Sequence, residues 1–252
     1  ETLSHDPVLA TSTVIQSEYG NILVDPSLQG DAMAQAVYNC SGVKAEDITI
    51  IYSTHLHYDH WLGLDAFPNA QAYTSQEELQ RLQWIVASFA KHNVSGMDAF
   101  EGALHRIKPV ENEELVPGMP LVALPGHTMG LHGLLFDAPE GKVLVSGDAV
   151  MNCEFFRARE GYYSAASPEK ANASIRRAAE VADYIIPGHG NYFAVKAYPY
   201  VPSERKYEWE EESADTGRIN MKTPVQDILE DPSLTAIFQR FYPSEYGLPL
   251  LI

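Results

Sequence analysis

Three things are scarce in this chain of 252 residues: cysteine, positive charge and long apolar runs. Cys40 and Cys153 are the only cysteines, too few for a disulfide framework and in keeping with a reducing, cytoplasmic setting. Seventeen Lys and Arg stand against 34 Asp and Glu, a net charge of −17. Such a field repels nucleic-acid phosphates and anionic lipid, so neither is an expected partner. No apolar stretch approaches the ~20 residues of a membrane-spanning helix. The first residue is Glu1 rather than Met, so a removed leader is kept open beside the cytoplasmic expectation. What is present is core-forming material, 45% apolar residues with 10% aromatics, enough for one large domain or two small ones.

Short β-branched runs alternate with helical patterns. Strands are expected at 13–16, 22–24, 48–52, 121–124, 134–136, 143–145 and 184–186. Leu79, Leu82, Ile85, Val86 and Phe89 form one stripe of a helix over 76–91, with Ser75 and Glu78 spaced as a capping box. Further helices are expected over 31–40, ending near Gly42, and after Ser167-Pro168. Interleaving of this kind defines an α/β class over residues 1–198. Residues 199–252 read as a C-terminal helical extension, with Pro-started patterns at 223–224 and 231–232. Its apolar end is expected to pack on the domain or on a partner in a homodimer.

The chemistry concentrates in His55-Leu56-His57-Tyr58-Asp59-His60, four potential metal ligands within six residues. A spacing of two places His55 and His57 on one side of an extended segment, not of a helix. The expected strand 48–52 supplies that segment. His127, Asp148 and His189 follow, each just past an expected strand and each beside glycine. Side chains at strand ends on one rim of a sheet converge. Seven nitrogen and oxygen donors without cysteine suit two divalent cations whose remaining positions are filled by water: zinc first, then iron or manganese.

With these residues in place, the chain resembles the metallo-β-lactamase superfamily, whose HxHxDH signature stands here as His55 to His60. The resemblance spans roughly residues 13–195 and takes in Asp25 at the end of an early strand. It implies a four-layer αβ/βα sandwich. It also implies that His55, His57 and His127 hold one ion, that Asp59, His60 and His189 hold the other, and that Asp148 bridges them. A metal-bridging hydroxide would then attack a carbonyl ester-type bond of a small molecule, with Asp59 and Asp148 as the catalytic carboxylates.

Asp148 stands where the common zinc β-lactamases carry cysteine, and His57 where oxygen-reducing diiron members carry glutamate. The stretch from Gly126 to Leu135, continuing into Asp148-Ala149-Val150, is similar to the acyl-homoserine-lactone hydrolases, and the ligand set is similar to that of glyoxalase II-like thioesterases. Met151 departs from the lactonase pattern, which has tyrosine there, and no cationic cluster suited to glutathione is evident. The expected substrate contacts are Trp61, His132, Phe155, Phe156, Arg157, Arg159, Tyr162 and Tyr163, the last six on a loop after Asp148. A phosphodiesterase or nuclease with two metals is the alternative enzyme, disfavoured by the low number of cations. A silent metal-containing binding protein is the non-enzymatic alternative, disfavoured because structural sites close their coordination.

Overall fold

The computed structural model describes residues 9–91, 98–162 and 165–202. The first half of the chain forms β1 (Thr13–Ser17), β2 (Gly20–Val24), α1 (Asp31–Ser41), β3 (Ile48–Tyr52), β4 (Gln71–Thr74), α2 (Gln76–Lys91), α3 (Asp98–Arg106) and β5 (Ile107–Pro109). These strands make a five-stranded sheet in the order β1-β2-β3-β4-β5, parallel except for the β1–β2 hairpin. The second half forms β6 (Leu121–Ala123), β7 (His132–Ala138), β8 (Gly141–Gly147), α4 (Cys153–Ala158), α5 (Pro168–Val181), β9 (Tyr184–Pro187) and β10 (Phe193–Ala194). Its sheet runs β10-β9-β8-β7-β6, with only β8–β9 parallel.

The alternation of side chains along each strand assigns the layers. In β2, Ile22 and Val24 point between the sheets, where they meet Ile15, Tyr52, Leu134 and Val145. Leu23 points the other way, to Met33 and Val37 of α1 and Leu79 and Leu82 of α2. On the far side of the second sheet, Leu144 and Ile185 pack against Phe156 of α4 and Ile175 and Ala178 of α5. Helix, sheet, sheet and helix therefore stack as the expected four layers. Full burial of such side chains stabilises the core by about 1.5–3 kcal/mol each.

Helix α1 stops where Gly42 takes a left-handed conformation and its N–H bonds to Tyr38 O. Asn152 and Ser167 accept backbone N–H bonds at the starts of α4 and α5. Two expectations need correction. The segment after Asp148 is not a loop throughout: once Asn152 caps the chain, residues 153–158 are helical. The capping box at α2 is only half made. Ser75 Oγ accepts from Glu78 N–H, but the Glu78 carboxylate turns inward rather than back to Ser75. Strands β4, β5 and β10 went unpredicted, being two to four residues long.

Val201 N–H bonds to Arg157 O, so the chain just past 198 runs back along α4. The rest of the expected extension, with its two Pro-started patterns and apolar end, lies outside the described residues. Among the described residues no helix is long and apolar enough to cross a membrane.

Candidate metal centre

The loop from Ser53 to His60 leaves the buried end of β3, and its backbone is fixed before its imidazoles are considered. Asp25, at the end of β2, adopts φ +51° and is buried. Its Oδ1 accepts from Thr54 N–H at 2.8 Å, its Oδ2 from the Thr54 hydroxyl at 2.8 Å, and His60 Nδ1 lies 3.0 Å from Oδ2. Ser53 Oγ donates to His60 O. A carboxylate this close to one nitrogen of a histidine favours the ring orientation in which the other, Nε2, faces an ion.

The second sheet supplies its donors one turn at a time. Asp148 follows β8, where Gly147 sits at φ +51° and a Cβ there would lie 2.3 Å from Thr54 Oγ1. At Gly188 a Cβ would lie 1.8 Å from Asp148 Oδ1, so only glycine lets the turn after β9 close over that carboxylate. His189 is held by Leu9 O, 3.1 Å from its Nδ1, while Thr11 pairs with Gly188 and Gly190 on either side.

The donors converge in two groups, His55, His57, His127 and Asp148 in one, and Asp59, His60 and His189 in the other. In the first, His57 Nδ1 is 3.0 Å from His55 Nε2 and 2.9 Å from His127 Nε2. Asp148 Oδ2 is 3.9 and 3.3 Å from His55 Nε2 and His127 Nε2. In the second, Asp59 Oδ2 is 3.7 Å from His60 Nε2 and 3.5 Å from His189 Nε2. Asp148 Oδ1 faces this group, 3.2 and 3.3 Å from the same two nitrogens. One carboxylate thus turns one oxygen to each group.

This donor set fits two cations. Nitrogens bound to a tetrahedral zinc at ~2.0–2.1 Å stand roughly 3.3 Å apart, which is the scale observed. His60 Nε2 and Asp148 Oδ1 are buried and 3.2 Å apart, yet neither is aligned in a hydrogen bond among the described residues. Atoms aimed at a common point between them have this arrangement.

Electrostatics separates the groups. Burial, reinforced by neighbouring histidines, holds His55 and His57 well below the ordinary imidazole pKa, and burial lowers His127 as well. At His60 burial also acts downward, but Asp148, Asp25 and Asp59 override it and raise the pKa well above the ordinary value. His189 is raised by Asp148 against its own burial. Asp148 is held well below the carboxylate range, the pull of His60 and His127 overcoming burial. Asp59 is raised by burial.

The expected substrate contacts do not all reach this centre. Trp61 is buried in the core with Tyr58 and Phe100, and Phe156 is fully buried against Phe193, so both are packing residues. His132 lies in β7, with Nδ1 2.8 Å from Gly130 O. Arg159, left-handed at φ +57°, stacks 3.7 Å over the Phe156 ring and donates to Phe156 O. Arg157 is exposed on α4. Phe155 and Tyr162 are half-buried, their rings in edge contact at 5.5 Å. Tyr163 lies outside the described residues. The supports supplied by Thr54, Glu78, Leu9 and Thr11, and the grip of Asp25 on Thr54, were not anticipated. The one available signal was Asp25, an acid directly after three apolar strand residues.

A family model of the metallo-beta-lactamase superfamily matches residues 5–189. An N-acyl homoserine lactonase of Bacillus cereus is 32% identical over 142 residues, 56% of this chain and 53% of the lactonase. The chain thus spans about half the length of that relative. Metallo-beta-lactamase domain-containing protein 1 of Xenopus laevis is 30% identical over 189 residues, 73% of this chain and 71% of that protein. Among solved structures, a dizinc quorum-quenching lactonase with a bound product superposes with a TM-score of 0.58 at 21% identity. That match covers 77% of this chain and 79% of the lactonase, and at this identity it speaks for the fold. An N-acyl homoserine lactone hydrolase with N-hexanoyl-L-homoserine at its catalytic metal centre gives a TM-score of 0.51 at 25% identity, covering 67% and 74%.

Proposed function

The chain belongs to the metallo-β-lactamase superfamily, and from that premise we propose that it is a two-metal hydrolase of a carbonyl ester-type bond in a small molecule, with lactones the first substrates to test. The observation that carries the reading is Asp148, whose two oxygens are divided between two groups of donors. His55, His57 and His127 would hold one divalent cation with Asp148 Oδ2, and Asp59, His60 and His189 the other with Oδ1. Zinc is the first choice for such a nitrogen and oxygen set. Bound there, the cations supply a water activated near neutral pH and polarise the scissile carbonyl.

The protein's own groups do the rest. Asp59 and His189, at 24% and 18% side-chain exposure, and the half-buried His57 are the partly open donors, whereas His55 and His60 are sealed. Asp59 Oδ2 faces His60 and His189, which leaves Oδ1 to take the proton of the attacking water and return it to the leaving oxygen. Hydrolysis then balances: hydroxyl goes to the acyl carbon, hydrogen to the departing alcohol. Met129 and Tyr192, both exposed, stand two and three residues beyond His127 and His189.

The test is hydrolysis of a panel of lactones, esters and thioesters by protein loaded with zinc, iron or manganese. Turnover of at least one class that disappears on metal removal is expected. A protein carrying two ions per chain and inert on the whole panel would refute the reading.

A further inference from the structure

Outside the donor groups, one buried charge of α2 is unaccounted for. Glu78 is completely buried in α2, and it belongs to neither donor group. Its Oε2 accepts from Leu56 N–H at 2.9 Å, and its Oε1 accepts from Gly130 N–H at 3.2 Å. Leu56 is the residue between His55 and His57. Gly130 lies three residues beyond His127. The residue that caps α2 completes the link: Ser75 Oγ accepts from Glu78 N–H and donates to Gly130 O at 2.6 Å. Arg81 lies one turn along, 3.6 Å from Glu78 Oε2, and partly balances the charge.

A carboxylate is carried into a protein interior at considerable cost unless its oxygens are satisfied. Here each oxygen is satisfied by a backbone N–H of a different ligand-bearing loop, one from each sheet. The pairing is weighted toward one group. Glu78 touches the His55–His57 stretch and the His127 loop, whereas Asp25 holds Thr54 at the start of the same loop and lies against His60, and Leu9 backs His189. We propose that Glu78 is a positioning residue that sets the spacing of the three-histidine group, by tying the His55–His57 loop and the His127 loop to the start of α2. The inference rests on the two-metal reading above, but not on the substrate assigned there.

The predicted behaviour is a loss of affinity confined to one ion. Glu78→Gln keeps the shape but replaces one acceptor oxygen with an NH2 group that must face a backbone N–H. Zinc affinity of the full chain is measured by chelator competition in two single-site backgrounds. His189→Ala leaves the three-histidine group intact, and His127→Ala leaves the other. Glu78→Gln should weaken zinc about 10–100-fold in the first background, the range typical of partners behind ligands. In the second it should change affinity by no more than about twofold, as for independent sites.

Equal affinity with and without the substitution in both backgrounds overturns the proposal. Equal loss in both overturns it too, since that is the mark of a general structural defect. Should Glu78→Gln fail to fold, Ser75→Ala removes only the Gly130 carbonyl anchor and the cap. A smaller loss restricted to the His189→Ala background supports the proposal, and an equal effect in both refutes it. Wild-type protein that binds fewer than two zinc ions needs no variant to interpret: it removes the two-metal reading itself, and this inference with it.

Discussion

The two halves of the sandwich bring donors to a shared edge by opposite means. The first sheet packs four of them into residues 55–60, on a loop without a single glycine from Ser53 to His60. Such a loop has an ordinary backbone and crowded side chains, and buried carboxylates grip it from outside: Asp25 at Thr54 and Glu78 at Leu56. The second sheet places one donor on each of three separate turns, and it relies on absent side chains. Gly147 fits against Thr54, and Gly188 fits against Asp148. A dense motif needs partners remote in sequence to hold its shape. Isolated donors need backbone freedom beside them.

The strongest way to break this comparison is at the residue both groups share. Asp148→Ala should lower kcat/KM by more than about 100-fold, beyond what loss of a supporting partner costs. Metal content, measured by elemental analysis, should fall below two ions per chain. Retention of both ions with most of the activity would show that the groups do not depend on it.

Gly188→Ala probes the second half alone. Its methyl group must displace the Asp148 carboxylate, so stability should fall by about 1–3 kcal/mol, as in overpacking, and metal content should drop with it. Denaturant melts of the metal-free and metal-loaded forms separate the two effects.

Asp25→Ala probes the first half, leaving the Thr54 N–H and hydroxyl without their acceptor. A loss of about 1–3 kcal/mol is expected even in metal-free protein, together with weaker binding at His60. If only the metal-loaded form is affected, Asp25 orients His60 but does not hold the loop.

Arg159→Ala should have the smallest effect. Its guanidinium over Phe156 is worth roughly 0.5–1 kcal/mol, and it supports no donor turn, so metal content should stay at two while the melt shifts slightly.

The difference between the halves also decides what could be read from the sequence. Strand β3, helix α2 and the Ser167-Pro168 start of α5 follow from local periodicity and capping, and the structure places them as expected. The convergence of the seven candidate donors was legible because side chains able to hold a metal are of few kinds, and glycine marks three of their turns. Glu78 was misread because Ser75 and Glu78 satisfy a local rule: the spacing of a capping box is the same whether the glutamate turns back or inward. Only the tertiary demand of Leu56 and Gly130 for an acceptor decides it. Trp61 and Phe156 neighbour the expected site in sequence, but the turn that carries Trp61 and the face of α4 that carries Phe156 send their rings into the cores. Contacts of the Leu9–His189 kind leave no local pattern at all.

That last contact has a consequence for how the molecule comes to exist. The bonds that secure His189 join residues about 180 positions apart: Thr11 to Gly190, and Leu9 to His189. Closing so long a loop is entropically slow, and folding slows as contacts become less local. On a ribosome, the motif at 55–60 emerges more than a hundred residues before His189 does. A nascent chain therefore offers the three histidines and the aspartate of that motif well ahead of its final donor, and the edge of the sandwich is completed only when the end of β9 returns to the segment before β1.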